Sequence, residues 1–216
     1  MKLSRIICIV AFAAFAQSVN ASTTEPLVLN YDGFYDRIEK LNEPEFQKVK
    51  LAFYLRGLTD GAPCKIESAK LKTKLKSKDI YFYDDGEILL PLDKKFDEDK
   101  ANLVIVKGDE QNCGLDMRLE SVVTFNEEIK PEYLIELSNV FNLALKEQTG
   151  MLSFLAPEVT GVTLLVEEGT QLQILNSDIG QCLNNRCTIT NKELTEIKQS
   201  IVLSSAPRKI IPYIKK

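Results

Sequence analysis

The stretch VKLAFYLR, residues 49–56, decides how this chain folds. Val49, Leu51, Phe53 and Leu55 alternate with Lys50, Ala52, Tyr54 and Arg56, the period of two expected of a strand with one face on a core. Toward the N-terminus, Pro26 to Tyr31 reads as a first strand. It is followed by the turn Asp32-Gly33 and a short helical pattern, Tyr35 to Leu41, that stops before Pro44. Toward the C-terminus, Asp60-Gly61-Ala62-Pro63 breaks the chain just before Cys64. Ile80 to Tyr83 and Ile88 to Leu92, around Asp84-Asp85-Gly86, read as a hairpin. Leu103 to Val106 with Leu115 to Leu119 reads as a second, and Val162 to Val166 with Gln171 to Leu175, around Glu168-Gly169, as a third. GQCLNNRCTIT, residues 180–190, supplies the fourth.

One long helix interrupts the strands. From Pro131 to Gln148 the apolar residues are Tyr133, Leu134, Leu137, Val140, Phe141, Leu143, Ala144 and Leu145, and all but Leu143 follow an amphipathic stripe. Pro131 suits the first turn and Gly150 the C-terminal cap. Thr190-Asn-Lys-Glu193 has the form of a capping box before a short helix through Ile201. The expected fold is α+β: antiparallel, β-rich sheet packed on one long amphipathic helix, with two or three short helices. A single domain over residues 22–216 is the expected organisation, with a subdivision near residues 125–130 as the alternative.

The first 21 residues stand apart. Lys2 and Arg5 precede an apolar run of ten, Ile6 to Phe15, and Val19-Asn20-Ala21 puts small or aliphatic residues at the minus-three and minus-one positions of a cleavage site. Residues 1–21 are therefore expected to be a cleaved signal peptide and the mature chain to be periplasmic, since the run is too short to span a bilayer. No later stretch is long and apolar enough for a span. Losing Lys2 and Arg5 takes the 27 Lys and Arg to 25 against 31 Asp and Glu, a net charge of −6. That balance argues against nucleic acid as a partner.

Export makes the four remaining cysteines, Cys64, Cys113, Cys182 and Cys187, a disulfide framework with three pairings to choose from. If Asn184-Asn185 forms a tight turn, Leu183 and Arg186 close the hairpin. Cys182 and Cys187 are then the next pair out, with Cα atoms about 4.5 Å apart. That is bridgeable without moving the backbone, and it leaves Cys64 for Cys113. Zinc is disfavoured by the absence of CxxC and of any His. A redox role for the small loop is the minor alternative.

The missing His also removes every Ser-His and Cys-His nucleophile. No phosphate-binding glycine motif is present, and no cofactor is expected. Carboxylates crowd two turns, Asp84, Asp85 and Glu87 in one and Asp97, Glu98 and Asp99 in the other, where solvated acids are the ordinary outcome. The second group lacks the Gly and Glu of a calcium loop. The strongest positive feature is KLKTKLKSK, residues 70–78. As one strand it would place Lys70, Lys72, Lys74, Lys76 and Lys78 on one face, roughly 6.6 Å apart. Such a ladder would bind an anionic surface, or simply protect a sheet edge. The aromatic groups Tyr31, Phe34, Tyr35 and Tyr81, Phe82, Tyr83 read as core and strand cover rather than as ligand platforms.

LNYDGFYDRIEKLNEPEFQKVKLAFYL (residues 29–55), the following Pro63-Cys64, DDGEILLPLDK (84–94), Asn112-Cys113 before a strand and PEVTGVTL (157–164) together resemble an uncharacterised family of exported gammaproteobacterial proteins, the domain-of-unknown-function family numbered 2987. The resemblance implies periplasmic export and carries over no activity, cofactor or catalytic residue. The expected function is a non-catalytic periplasmic protein that binds an anionic envelope component or a protein partner. The alternatives are a carboxylate-dependent hydrolase without His, and a carrier of lipids or small molecules.

Overall fold

A computed structural model describes residues 25–108 and 112–215; the leader expected over residues 1–21 lies outside them. The elements are β1 (Leu27–Asn30), α1 (Asp32–Lys40), a 3-10 turn at Pro44–Phe46, β2 (Val49–Gly57), β3 (Ile66–Lys72), β4 (Ser77–Asp79) and β5 (Glu87–Ile88). There follow α2 (Lys94–Glu98), β6 (Asn102–Lys107), β7 (Cys113–Ser121), β8 (Glu128–Ile129), α3 (Pro131–Thr149) and a 3-10 turn at Gly150–Leu155. The chain ends with β9 (Val159–Leu165), β10 (Gln181–Leu183), β11 (Arg186–Thr190), α4 (Asn191–Glu196), β12 (Ile201–Val202) and β13 (Lys209–Ile214). This is an α+β arrangement with one long helix and three short ones among the described residues.

Every strand pair is antiparallel. The sheets run in the orders β1-β6-β3-β4, β5-β2-β7 and β10-β11-β9-β13, with β12-β8 as a separate pair. Two apolar cores result. Phe53 and Leu55 of β2 face the first, with Tyr31, Leu71, Leu103 and Ile105. The second is built on the stripe Leu134, Leu137, Phe141 and Ala144 of α3 against Val162, Leu164 and Ile189. It also takes Leu41, Phe46, Val49 and Leu119 from the N-terminal half. Leu143, off the stripe, is exposed. The C-cap Gly150 takes a φ of 56°, a conformation that costs a glycine little.

Tertiary pairing overrides two of the expected hairpins. β6 and β7 do not pair: β6 lies between β1 and β3, and β7 beside β2 along its whole length. Residues 171–175 do not fold back on β9; Ile174 bridges Leu203 instead. The hairpin around Asp84-Asp85-Gly86 does form, as a short one: Phe82 bridges Ile88, Tyr83 N–H donates to the Glu87 carbonyl oxygen at 2.8 Å and Leu89 N–H to that of Tyr81 at 2.9 Å. In the other two cases strand-like runs near in sequence found partners elsewhere, a choice that local pattern does not encode. The capping box at Thr190 and Glu193 is present, but α4 stops at Glu196 and Ile201 begins a strand.

Cys182 faces Cys187 in the β10–β11 register, Cα atoms 4.0 Å apart, and the two are joined. Only Asn184 of the turn has a positive φ, 56°. Cys64 is joined to Cys113 over a Cα separation of 6.4 Å, tying the start of β7 to the loop before β3 and so one sheet to another.

Candidate functional site

The alternation that defines β2 also defines a polar face. Lys50, Tyr54 and Arg56 point away from the first core, and antiparallel register sets Lys50 opposite Glu120, Tyr54 opposite Asp116 and Ala52 opposite Arg118. On the other side β5 brings Glu87 opposite Tyr54. Gly86 makes this possible. Its φ is 82°, and a Cβ there would lie 2.6 Å from the Leu55 carbonyl oxygen, which leaves room only for glycine in the turn that aims Asp85 and Glu87.

Lys209, the first residue of β13, reaches into this face. Its Nζ donates to Tyr54 Oη at 2.5 Å, Glu87 Oε2 at 3.0 Å and Asp85 Oδ2 at 3.1 Å, the full donor capacity of an ammonium. Glu120 Oε2 is 3.9 Å away. Tyr54 Oη donates to Glu120 Oε1 at 2.6 Å, and Lys50 caps the other oxygen of Glu87. Tyr54, Glu87 and Glu120 are 1%, 4% and 2% exposed. Among the described residues no three His, Cys, Asp or Glu side chains are grouped for a metal ion. Lys209 Nζ occupies the place among the acids that a cation would take.

This environment splits the carboxylates. Burial alone would raise Glu87, but the hydrogen bonds and charges of Lys50 and Lys209 outweigh it and hold Glu87 below its usual range. Asp85 is lowered in the same way: burial opposes, and the Glu87 backbone N–H and Lys209 prevail. Glu120 goes up, because burial exceeds what the Tyr54 bond and the Lys209 charge return. Burial and the Glu120 bond keep the Tyr54 phenol protonated far above its ordinary range.

Linkage follows from these signs. Asp85 and Glu87 stabilise the fold in full above their unfolded values of 3.8 and 4.5, and that share is lost as pH falls through their lower folded values. Glu120 acts in reverse: its share is present below 4.5 and lost as pH rises through its raised value. Urea midpoints are therefore expected to drop on acidification below about pH 4. In Glu87→Gln that acid limb should be shallower; an unchanged limb would show that Glu87 is not ionised in the fold.

Above the cluster opens a cleft of about 750 Å³ between the polar face and the ends of β9, β11 and β13. Arg56, Arg118, Arg186, Arg208 and Lys209 line it, with Tyr83 and the acids Asp84, Asp85, Glu120, Glu167 and Glu168. Arg118 is held by Asp116 and Arg208 by Glu167. Arg56 stacks on the Tyr54 ring at 4.9 Å, and its buried Nε has no acceptor among the described residues. Arg186 forms no ion pair among the described residues. Glu120 Oε2 is likewise buried and accepts no hydrogen bond among the described residues, with Lys209 Nζ as its ion-pair partner at 3.9 Å.

The five lysines do not form one face. Thr73 turns the chain: its Oγ1 accepts from the Leu75 and Lys76 backbone N–H groups at 3.1 and 2.9 Å, so residues 70–78 make a hairpin rather than a strand. Lys70 faces Asp79 and Lys72 faces Ser77, while Lys78 pairs with Leu71 on the opposite face. Lys70, Lys76 and Lys78 are ion-paired to Asp79, Asp99 and Asp93; Lys72 and Lys74 are exposed. Without Gly, Pro, Asn or Asp in the turn, the repeat reads as continuous strand. Tyr31, Phe34 and Tyr35 are buried, whereas Tyr83 is exposed beside the cleft.

A family model described as "Protein of unknown function (DUF2987)" matches residues 23–166. The chain belongs to this family. No curated protein and no solved structure matches it. The DUF2987 segment contains Tyr54, Asp85, Glu87, Arg118 and Glu120, while Arg186, Arg208 and Lys209 come from the chain beyond it. The cleft is thus a joint construction of both. Among the described residues no helix is long and apolar enough to cross a membrane.

Proposed function

We propose that this DUF2987 protein is a non-catalytic periplasmic binding protein whose ligand is an anionic glycan of the cell envelope, seated in the arginine-lined cleft. One observation carries the reading. Among the described residues the buried Arg56 Nε has no acceptor, at the wall of a cleft that also holds Arg186, which forms no ion pair among them. An unsatisfied buried donor costs about 1–3 kcal/mol, a deficit that a phosphate or carboxylate oxygen would remove. Tyr83, exposed beside the cleft, offers a ring to a sugar face.

The opposed shifts of Glu87 and Glu120 favour a second reading, a hydrolase, because paired acids pushed apart are the mark of acid–base chemistry. Accessibility weighs against it. Glu87 does not line the cleft, Glu120 at its wall is almost wholly buried, and the two are engaged by Lys50, Lys209 or Tyr54, whereas glycoside hydrolysis needs both facing the substrate.

Titration calorimetry with the phosphorylated core oligosaccharide of lipopolysaccharide and its dephosphorylated form tests the proposal. The phosphorylated form is expected to bind at least about tenfold tighter. Arg56→Ala and Arg186→Ala should each weaken it by about 1.5–3 kcal/mol, and half-molar salt should weaken it further. Equal binding of the two forms, or indifference to both arginines, would refute it.

A further inference from the structure

A second concavity, unlike the first, lies where the two sheets meet. β7 and β13 are the edge strands of their sheets, touching at the Ile210 N–H to Ser121 Oγ bond of 3.2 Å. Beyond that contact a groove of about 520 Å³ runs along the seam, closed on one side by the end of α3. Leu51, Met117, Leu119, Leu145, Ile211 and Ile214 wall it. Among the described residues its charged lining is Arg37 and Arg118, without a carboxylate. Arg118 is already held by Asp116, whereas the Arg37 guanidinium donates to the Gly33 carbonyl oxygen at 2.6 Å and forms no ion pair among the described residues.

We infer that this groove takes the acyl chain of an anionic amphiphile, with the acidic headgroup at Arg37. The volume is that of a small-molecule site, and apolar walls with a few placed polar groups are what such a ligand needs. Two features select an acyl chain over a peptide strand. Pro212 lies in β13, and a proline on an edge strand sits where its missing N–H would face outward, here toward the groove. That wall therefore lacks a donor for strand addition. The lining charge is also wholly positive, which complements a carboxylate or phosphate head rather than a neutral chain.

The exposed turn Met151, Leu152, Phe154 and Leu155 follows directly on the helix end that closes the groove, so a second copy is the competing occupant. Fluorescence titration with cis-parinarate, an anionic fatty acid, distinguishes them when run beside sedimentation velocity. Saturable enhancement by a monomer is expected, reversed by laurate and about tenfold less well by dodecanol, which lacks the charge. Met117→Glu, at a half-exposed position where the fold should tolerate it, is expected to weaken parinarate at least about tenfold. Ile214→Glu, near the end of β13, serves as a second variant should the first not fold. Arg37→Glu should abolish the preference for laurate over dodecanol, and Met151→Glu, outside the groove, should leave binding unchanged. The inference is overturned by unsaturable fluorescence, by equal competition from laurate and dodecanol, or by unaltered affinity in a folded groove variant. A dimer that Met117→Glu dissociates would overturn it too, assigning the groove to a second copy.

Discussion

Replacing Lys209 with Met is expected to destabilise the protein by about 3–5 kcal/mol at neutral pH, the scale of removing one partner from a buried charge cluster. Among the described residues Lys209 is the one ion-pair partner of Asp85, shares Glu87 with Lys50, and is the one ion-pair partner of Glu120. Met keeps most of the volume, so the loss should be electrostatic rather than a cavity effect. The pH dependence separates the two. Without the ammonium, Asp85 and Glu120 keep burial as their dominant influence, so their folded values rise and the variant regains stability as pH falls. The wild type loses stability over the same acid range, since its Asp85 and Glu87 are depressed. Urea midpoints for the two proteins should converge toward about pH 4; parallel curves, or a gap below about 1 kcal/mol at pH 7, would show the cluster to be well solvated. Glu87→Gln in the Lys209→Met background should recover part of the loss, giving a coupling energy by double-mutant cycle.

The second large effect is expected from the cysteines. Cys64 and Cys113 are 49 residues apart and Cys182 and Cys187 are 5 apart. Chain entropy assigns about 4 kcal/mol to the long loop and about 2 kcal/mol to the short one. Replacing Cys64 and Cys113 by Ala should therefore cost about twice what replacing the late pair does, read as the shift in urea midpoint at constant slope. Position adds to length. The long bridge ties the start of β7 to the loop before β3, so its loss frees two sheets against each other, whereas the short one only staples a hairpin already held by its ladder. Equal costs, or a larger one for the hairpin, would contradict this ranking.

How much of this was legible beforehand depends on the range of each signal. The stripe of α3 and the alternation of β2 are local patterns, and both elements stand where periodicity put them. The Cys182–Cys187 register follows from a turn only two residues long. The lysine repeat failed for an equally local reason: one Thr hydroxyl supplies the turn that Gly, Asn or Pro would have announced. Asp85 and Glu87 were visible as an acidic turn, but not their convergence with Tyr54, Glu120 and Lys209, which are separated from them by up to 124 residues. A usable hint existed in β2 itself, where Lys50, Tyr54 and Arg56 share the face opposite the core.

The sequence by itself determined the α+β class, the principal strands, the long helix and the short disulfide, because periods of two and 3.6 and tight-turn registers act between near neighbours. Tertiary structure alone decided which strands pair, and therefore that β13 delivers Lys209 to the polar face of β2 and that β7 and β13 leave an apolar seam between them. Strand pairing is chosen by competition among many similar apolar faces, and that competition is settled only when the whole chain packs.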